Sequence, residues 1–82
     1  MNEADIKAAL LEELGNLAPE TDPAALGLDA DLRDGLDLDS MDFLNLMIAL
    51  DGRLGVAIPE ADYGKLRTLR GALDYLAARL AA

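Results

Sequence analysis

The chain has 82 residues, the size of one domain (1–82) near the lower end of what folds alone. It contains no Cys and no His, so disulfides, Cys/His zinc sites, cysteine nucleophiles and histidine general bases are excluded, and most hydrolase and transferase triads with them. A formal net charge of −9 argues against nucleic acid and against an anionic membrane surface, and favours basic protein partners met by electrostatic steering.

The N-terminus, Met1-Asn2-Glu3, lacks the basic start and apolar run of a signal peptide, and no run approaches the ~20 apolar residues that span a bilayer. A cytoplasmic protein without membrane insertion is expected. Hydrophobic residues make up 52% of the chain but aromatics only 4%, which points to a Leu/Ala/Ile/Met core and to helices. The first helix is predicted over about residues 3–16. Asn2 caps it with Asp5 at N3, and Ile6, Ala9, Leu10, Leu14 and Leu17 form one stripe. Gly15-Asn16 and Pro19 end it.

A long connection follows, about residues 18–38. Asp22-Pro23 opens a short helical turn through Leu26. Five leucines (Leu26, Leu28, Leu32, Leu36, Leu38) predict that this loop lies against the helices rather than in solvent. Its acids do not make a calcium loop. Counting from Asp29, the positions that need an acid and a glycine hold Arg33 and Asp34; placing Gly35 at the glycine position puts Ala30 first. No metal ligands are expected.

At Leu36-Asp37-Leu38-Asp39-Ser40-Met41-Asp42 the acidic segment gives way to an apolar helix, predicted over Ser40 to about Leu54. Asp39 reads as the N-cap, and Asp42 falls at N3 of a capping box. Ser40 sits at N1, where its hydroxyl can point outward. An anion attached there would lie beside unpaired N–H groups and the positive end of the helix dipole. Taken alone, Asp39-Ser40 reads first as a plain cap, and only the rest of the chain shifts that reading. Met41, Leu44, Met47, Ile48 and Leu54 are predicted as the buried stripe, with Phe43, Leu46 and Leu50 widening it. That width fits a central helix covered on several sides, or a face shared between core and partner. Gly52 inside the helix either admits a close neighbour or marks fraying before Gly55.

Gly55-Val56-Ala57-Ile58-Pro59 is a turn and a short extended piece, and Pro59 at N1 starts one short helical turn to Tyr63. Thr68 caps the last helix, about 69–81, with Leu69, Ala72, Leu73, Leu76 and Leu80 on its stripe. No stretch alternates with period 2, so no sheet is predicted. Residues 20–62 hold eleven acids against Arg33 and Arg53, while residues 63–82 hold Asp74 against Lys65, Arg67, Arg70 and Arg79. A basic partner should therefore meet the middle of the chain.

Together these residues resemble the acyl carrier protein family, including its peptidyl and aminoacyl carriers. The resemblance spans most of the chain. It rests on the length, the acidity, the long first loop, the Asp-Ser-Leu-type motif Asp39-Ser40-Met41, the Gly55-Val56-Ala57-Ile58-Pro59 turn about fifteen residues later, and Thr68-Leu69 opening the last helix. It implies an all-α, four-helix acyl-carrier-like bundle of three longer helices and one short, with a long loop between the first two. It implies a 4′-phosphopantetheine cofactor esterified to Ser40 by a separate phosphopantetheinyl transferase, with Asp39 and Met41 completing the attachment motif. The serine is then no nucleophile of the protein's own chemistry, which fits the absence of His, and no enzyme activity or catalytic residue is expected. The arm's thiol would carry acyl groups as thioesters to loading and transfer enzymes with basic docking patches, in fatty acid, lipid or secondary-metabolite biosynthesis. An apolar cargo could enter the aliphatic core, gaining up to ~0.8 kcal/mol per buried methylene less the cost of opening it.

Departures from the family pattern bear on partners. The acidic face of the helix after Ser40 keeps Asp42 and Asp51 but is interrupted by Asn45, Gly52 and Arg53, and Asp37 stands where the family often has Gly. Asp37, Asp42, Asn45 and Asp51 are the expected partner-facing residues, and a dedicated carrier with its own small enzyme set is expected over a housekeeping one. High charge and small size suit a monomer. The alternatives are an aminoacyl or peptidyl carrier, and a cofactor-free acidic helical interaction module in which Ser40 only caps.

Overall fold

The computed structural model describes residues 2–81. Four α-helices form: α1 (Glu3–Leu17), α2 (Leu32–Gly35), α3 (Ser40–Leu54) and α4 (Leu69–Ala81). Two 3-10 segments, Pro23–Ala25 and Glu60–Leu66, lie between them. The expected bundle of three long helices and one short one is present, with Glu60–Leu66 as the short member. No strand occurs among the described residues, where Asp31 and Thr68 form only an isolated bridge.

Local chemistry sets the ends of these elements. Asn2 Oδ1 accepts from the Asp5 N–H at 2.9 Å, closing the predicted capping box of α1. Gly55 ends α3 at φ +67°, a left-handed conformation that glycine adopts without strain, and its N–H donates to the Asp51 carbonyl. Thr68 Oγ1 accepts from the Gly71 N–H at 3.0 Å and starts α4. Gly71 is also a close-approach position, since a Cβ there would run into the Lys65 carbonyl. Pro59 corrects the prediction by one place. It is the N-cap rather than N1 of a seven-residue helix that runs three residues beyond Tyr63.

The core is a single aliphatic cluster. Leu10, Leu14, Leu32, Leu46, Leu50, Leu66 and Leu76 are fully buried, and no polar side chain among the described residues is. Helix α1 packs on both α3 and α4. The long loop folds against them as predicted, because Leu32, Leu36 and Leu38 are buried; Leu26 is half-buried, while Leu28 is exposed. The Asp31 carboxylate caps α2, a helix that local periodicity did not announce, by accepting from the N–H groups of Arg33 and Asp34. The loop is then fastened to the start of α4. Leu32 N–H donates to the Arg67 carbonyl, Arg70 N–H to the Leu28 carbonyl at 2.8 Å, and ion pairs join Arg67 to Asp31 at 2.7 Å and Arg70 to Asp29 at 3.2 Å.

The buried side of α3 keeps Met47 and Leu54 of the predicted stripe but is otherwise made by the residues expected only to widen it. Phe43, Leu46, Met47, Leu50 and Leu54 face the core, whereas Met41 is 62% and Ile48 59% exposed and Leu44 is only half-buried. Both sets satisfy helical spacing, because the helix carries apolar residues over most of its circumference. Packing against α1 selects the Phe43–Leu50 side. Gly52 meets nothing within 4 Å, so no neighbour within the chain requires it.

Candidate functional site

The site is built at the N-terminus of α3. Asp39 lies outside the helix in an extended conformation, and its Oδ1 accepts from the Asp42 N–H at 2.8 Å. Asp42 Oδ2 accepts in return from the Asp39 N–H at 3.2 Å. This capping box uses one first-turn donor and leaves the N–H groups of Ser40 and Met41 without intrahelical acceptors. Ser40 stands at N1 with its side chain exposed, and Met41 beside it is exposed as well.

A groove of about 350 Å³ opens at Ser40. Met41, Phe43 and Leu44 from α3 form one wall, and Glu60, Tyr63 and Gly64 from the 3-10 helix form the other. Phe43 and Tyr63 meet edge to face, with ring centroids 6.2 Å apart. Two guanidiniums border the groove. Arg33 Nη2 donates to Ser40 Oγ at 3.3 Å, and Arg67 is held by Asp31. The Asp31 carboxyl lies below the usual carboxylate range. Hydrogen bonding to the Asp34 N–H is the main cause, partial burial opposes it, and Arg67 adds to the lowering.

Of the residues expected to act together, Asp39, Ser40 and Met41 are contiguous at the α3 N-terminus. Asp37 is exposed on the loop before it, at φ +54°, in the left-handed region that favours glycine. Asn45 and Asp51 are exposed farther along α3, Asp51 about 16 Å from Ser40 at 1.5 Å per residue. Asp42 is half-buried and engaged in the capping box, so its carboxylate serves the helix as well as the surface. Arg53 does not interrupt an acidic face. It turns to α1, where it donates to Glu13 at 3.1 Å and Glu12 at 3.2 Å, and it holds the Glu12 carboxyl below its usual range. The groove residues Arg33, Tyr63 and Arg67 were missing from the sequence reading of the site. A signal existed for Arg33, one of only two cations among the eleven acids of residues 20–62.

These residues fit a phosphate-linked group. The hydroxyl is exposed, free N–H groups and the positive end of a helix dipole lie beside it, an arginine touches it, and an apolar groove leads away.

Comparison with known proteins gives the same direction. The family model for a phosphopantetheine attachment site matches residues 4–76. The acyl carrier protein of Thermosynechococcus vestitus is 31% identical over 86 aligned positions, covering all of both chains. That of Renibacterium salmoninarum is 33% identical over 70, covering 85% of this chain and 82% of its own. The solution structure of an Anaplasma phagocytophilum protein assigned as an acyl carrier protein superposes with a TM-score of 0.83 at 29% identity, covering 95% of this chain and 91% of the other. With a family model matched over residues 4–76 and relatives above 30% identical along most of both chains, the chain belongs to the acyl carrier protein family of phosphopantetheine-attachment domains.

Proposed function

We propose that this chain tethers acyl intermediates as thioesters on a 4′-phosphopantetheine arm esterified to Ser40 and presents them to partner enzymes. The observation that carries this reading is the exposed Ser40 hydroxyl at N1 of α3, framed by the Asp39–Asp42 capping box and opening onto the Phe43–Tyr63 groove. When bound, the arm supplies a terminal thiol that this cysteine-free chain lacks. The chain's own residues hold the attachment point rigid, offer hydrogen-bond donors to the phosphodiester and shape the exit path. Catalysis is left to the partners: a phosphopantetheinyl transferase first, then loading and transfer enzymes acting in the cytoplasm on a monomeric carrier.

The exposed side of α3 is the proposed docking surface. Met41, Leu44 and Ile48 form an apolar strip along it, with Asn45 beside them and Asp51 at the far end, while Asp37 extends the acidic edge onto the loop. That combination suits a partner with an apolar seat inside a basic rim. Such partners would be enzymes of fatty acid, lipid or secondary-metabolite biosynthesis, and a dedicated set is favoured by the sparse charge on α3.

The test is intact mass after incubation with coenzyme A and a broad-specificity phosphopantetheinyl transferase, with Ser40→Ala in parallel. One added phosphopantetheine on the wild type, and none on the variant, supports the reading. No gain on a folded wild type, with the transferase active on a control carrier, would move the assignment to a cofactor-free interaction module.

A further inference from the structure

Five of the cations are committed to carboxylates. Arg53 is paired with Glu12 and Glu13, Lys65 and Arg79 with Asp62, Arg67 with Asp31, and Arg70 with Asp29. Arg33 forms no ion pair among the described residues, although Asp31, Asp34, Asp37 and Asp39 lie within six positions of it in sequence. A neutral frame holds it instead. Leu38 N–H donates to the Arg33 carbonyl at 2.8 Å, and Arg33 Nε makes a long contact to the Leu38 carbonyl at 3.5 Å. These two contacts fold residues 33–38 back on themselves and lay the guanidinium across the start of α3. From there Nη2 reaches Ser40 Oγ at 3.3 Å.

This is an odd place to leave an arginine. A hydrogen bond from a half-buried guanidinium to an exposed neutral hydroxyl contributes little, and several carboxylates are near in sequence. The arrangement becomes economical if the hydroxyl oxygen bears an anion. A phosphodiester is monoanionic at neutral pH. Its non-bridging oxygens would lie two bonds beyond Oγ, on the phosphorus, within reach of the same guanidinium, whose fork matches phosphate geometry. The second guanidinium of the groove is unsuited to this task, because Arg67 is already neutralised by Asp31 and has Glu60 as a fellow lining residue.

We propose that Arg33 is the counter-ion of the phosphodiester on Ser40: a positioning residue that offsets the added negative charge in the acidic middle of the chain and directs the arm toward the groove between Phe43 and Tyr63. The proposal rests on Ser40 being the attachment point, and it adds a role for a residue outside the attachment motif. Without Arg33, the modified serine would place one more negative charge among Asp34, Asp37, Asp39 and Asp42 with only the helix N-terminus to receive it.

The test compares unmodified and fully modified samples of the wild type, Arg33→Gln and Arg33→Lys, each verified by intact mass. The Arg33 Nε–Hε resonance of the wild type should move on modification. The melting temperature of the modified form minus that of the unmodified form should be lower in Arg33→Gln than in the wild type by about 3 °C at low salt. Arg33→Lys should recover part of the loss, and the difference should shrink near about 1 M salt, where the screening length is about 3 Å. An unmoved Arg33 resonance, with equal modification-induced shifts in wild type and Arg33→Gln, would overturn the role of Arg33 while leaving Ser40 attachment intact. A wild type that gains no mass would remove both.

Discussion

Tyr75 donates its phenol O–H to Asp62 Oδ2 at 2.7 Å, and through this bond α4 holds the 3-10 helix that walls the groove. Arg79 Nη2 donates to the same oxygen at 3.1 Å, and its guanidinium lies 4.8 Å from the centre of the Tyr75 ring. Lys65 reaches the other carboxylate oxygen at 3.3 Å. The Asp62 side chain is only 15% exposed, so this group of contacts anchors the turn next to Tyr63 and Gly64 from behind. The position of the groove wall therefore depends on side chains that do not line the groove.

This anchor should give the protein an acid-sensitive component. The Tyr75 hydrogen bond holds the Asp62 carboxyl below its ordinary value of 3.8; partial burial opposes the shift, and Lys65 and Arg79 reinforce it. A carboxyl with a lowered folded value contributes stability above the unfolded value and loses it as pH falls through the folded one. Tyr75→Phe and Asp62→Asn should both melt below the wild type at neutral pH, and the gap should close as pH falls below about 4. Tyr75 itself is raised above 10.0, mainly by the Asp62 bond, so its contribution persists through neutral pH and fades only at strongly alkaline pH. Melting curves against pH for the three proteins check both signs.

Two glycines in helices should respond in opposite directions to the same substitution. Gly52→Ala adds a methyl where nothing lies within 4 Å and should stabilise by up to about 1 kcal/mol through helix propensity. Gly71→Ala drives its Cβ into the Lys65 carbonyl and crowds Thr68 Oγ1, and it should destabilise by about 1–3 kcal/mol. Urea denaturation of the pair separates the two effects from any general response to alanine.

The loop before Ser40 carries its own strain. At φ +54°, Asp37 adopts a conformation that glycine takes freely and β-branched residues resist. Asp37→Gly should fold normally. Asp37→Val should be less stable than Asp37→Gly by about 1–2 kcal/mol, measured by chemical denaturation.

The exposed strip on α3 gives a direct test of which side of that helix belongs to the core. Met41→Ala and Ile48→Ala should change stability by no more than about 0.5 kcal/mol, whereas Leu46→Ala, at a fully buried position, should cost about 2–5 kcal/mol. Titration of the two surface variants against a partner enzyme should show weaker binding with unchanged melting curves. A large stability loss in Ile48→Ala would contradict the exposed placement.

Features that act over a few residues were legible before any tertiary contact was known. Asn2 with Asp5, Asp39 with Asp42, Thr68 with Gly71 and the left-handed stop at Gly55 are all interactions between near neighbours, so side-chain chemistry and spacing dictate them. Ser40 at N1 of α3 follows from the same local rules, which is why the serine proposed as the attachment point could be placed in the first turn of that helix. The other groove wall could not, because Tyr63 meets Phe43 only after the chain has turned at Gly55 and packed back. The orientation of α3 likewise lay beyond periodicity. With apolar residues around most of the helix, Met41 and Ile48 fit a buried stripe as well as Phe43 and Leu50 do, and the face of α1 selects between them. The charge map was rewritten in the same way. Arg53 finds Glu12 across 41 positions, Arg67 finds Asp31 across 36, and Arg70 finds Asp29 across 41. Such pairings arise when hydrophobic burial closes the chain and brings distant segments together, and no local propensity encodes them. Composition and short-range chemistry thus specified the helices and the serine that opens α3. Long-range packing chose which acids remain open to a partner, and it left Arg33 beside Ser40 with no ion pair among the described residues.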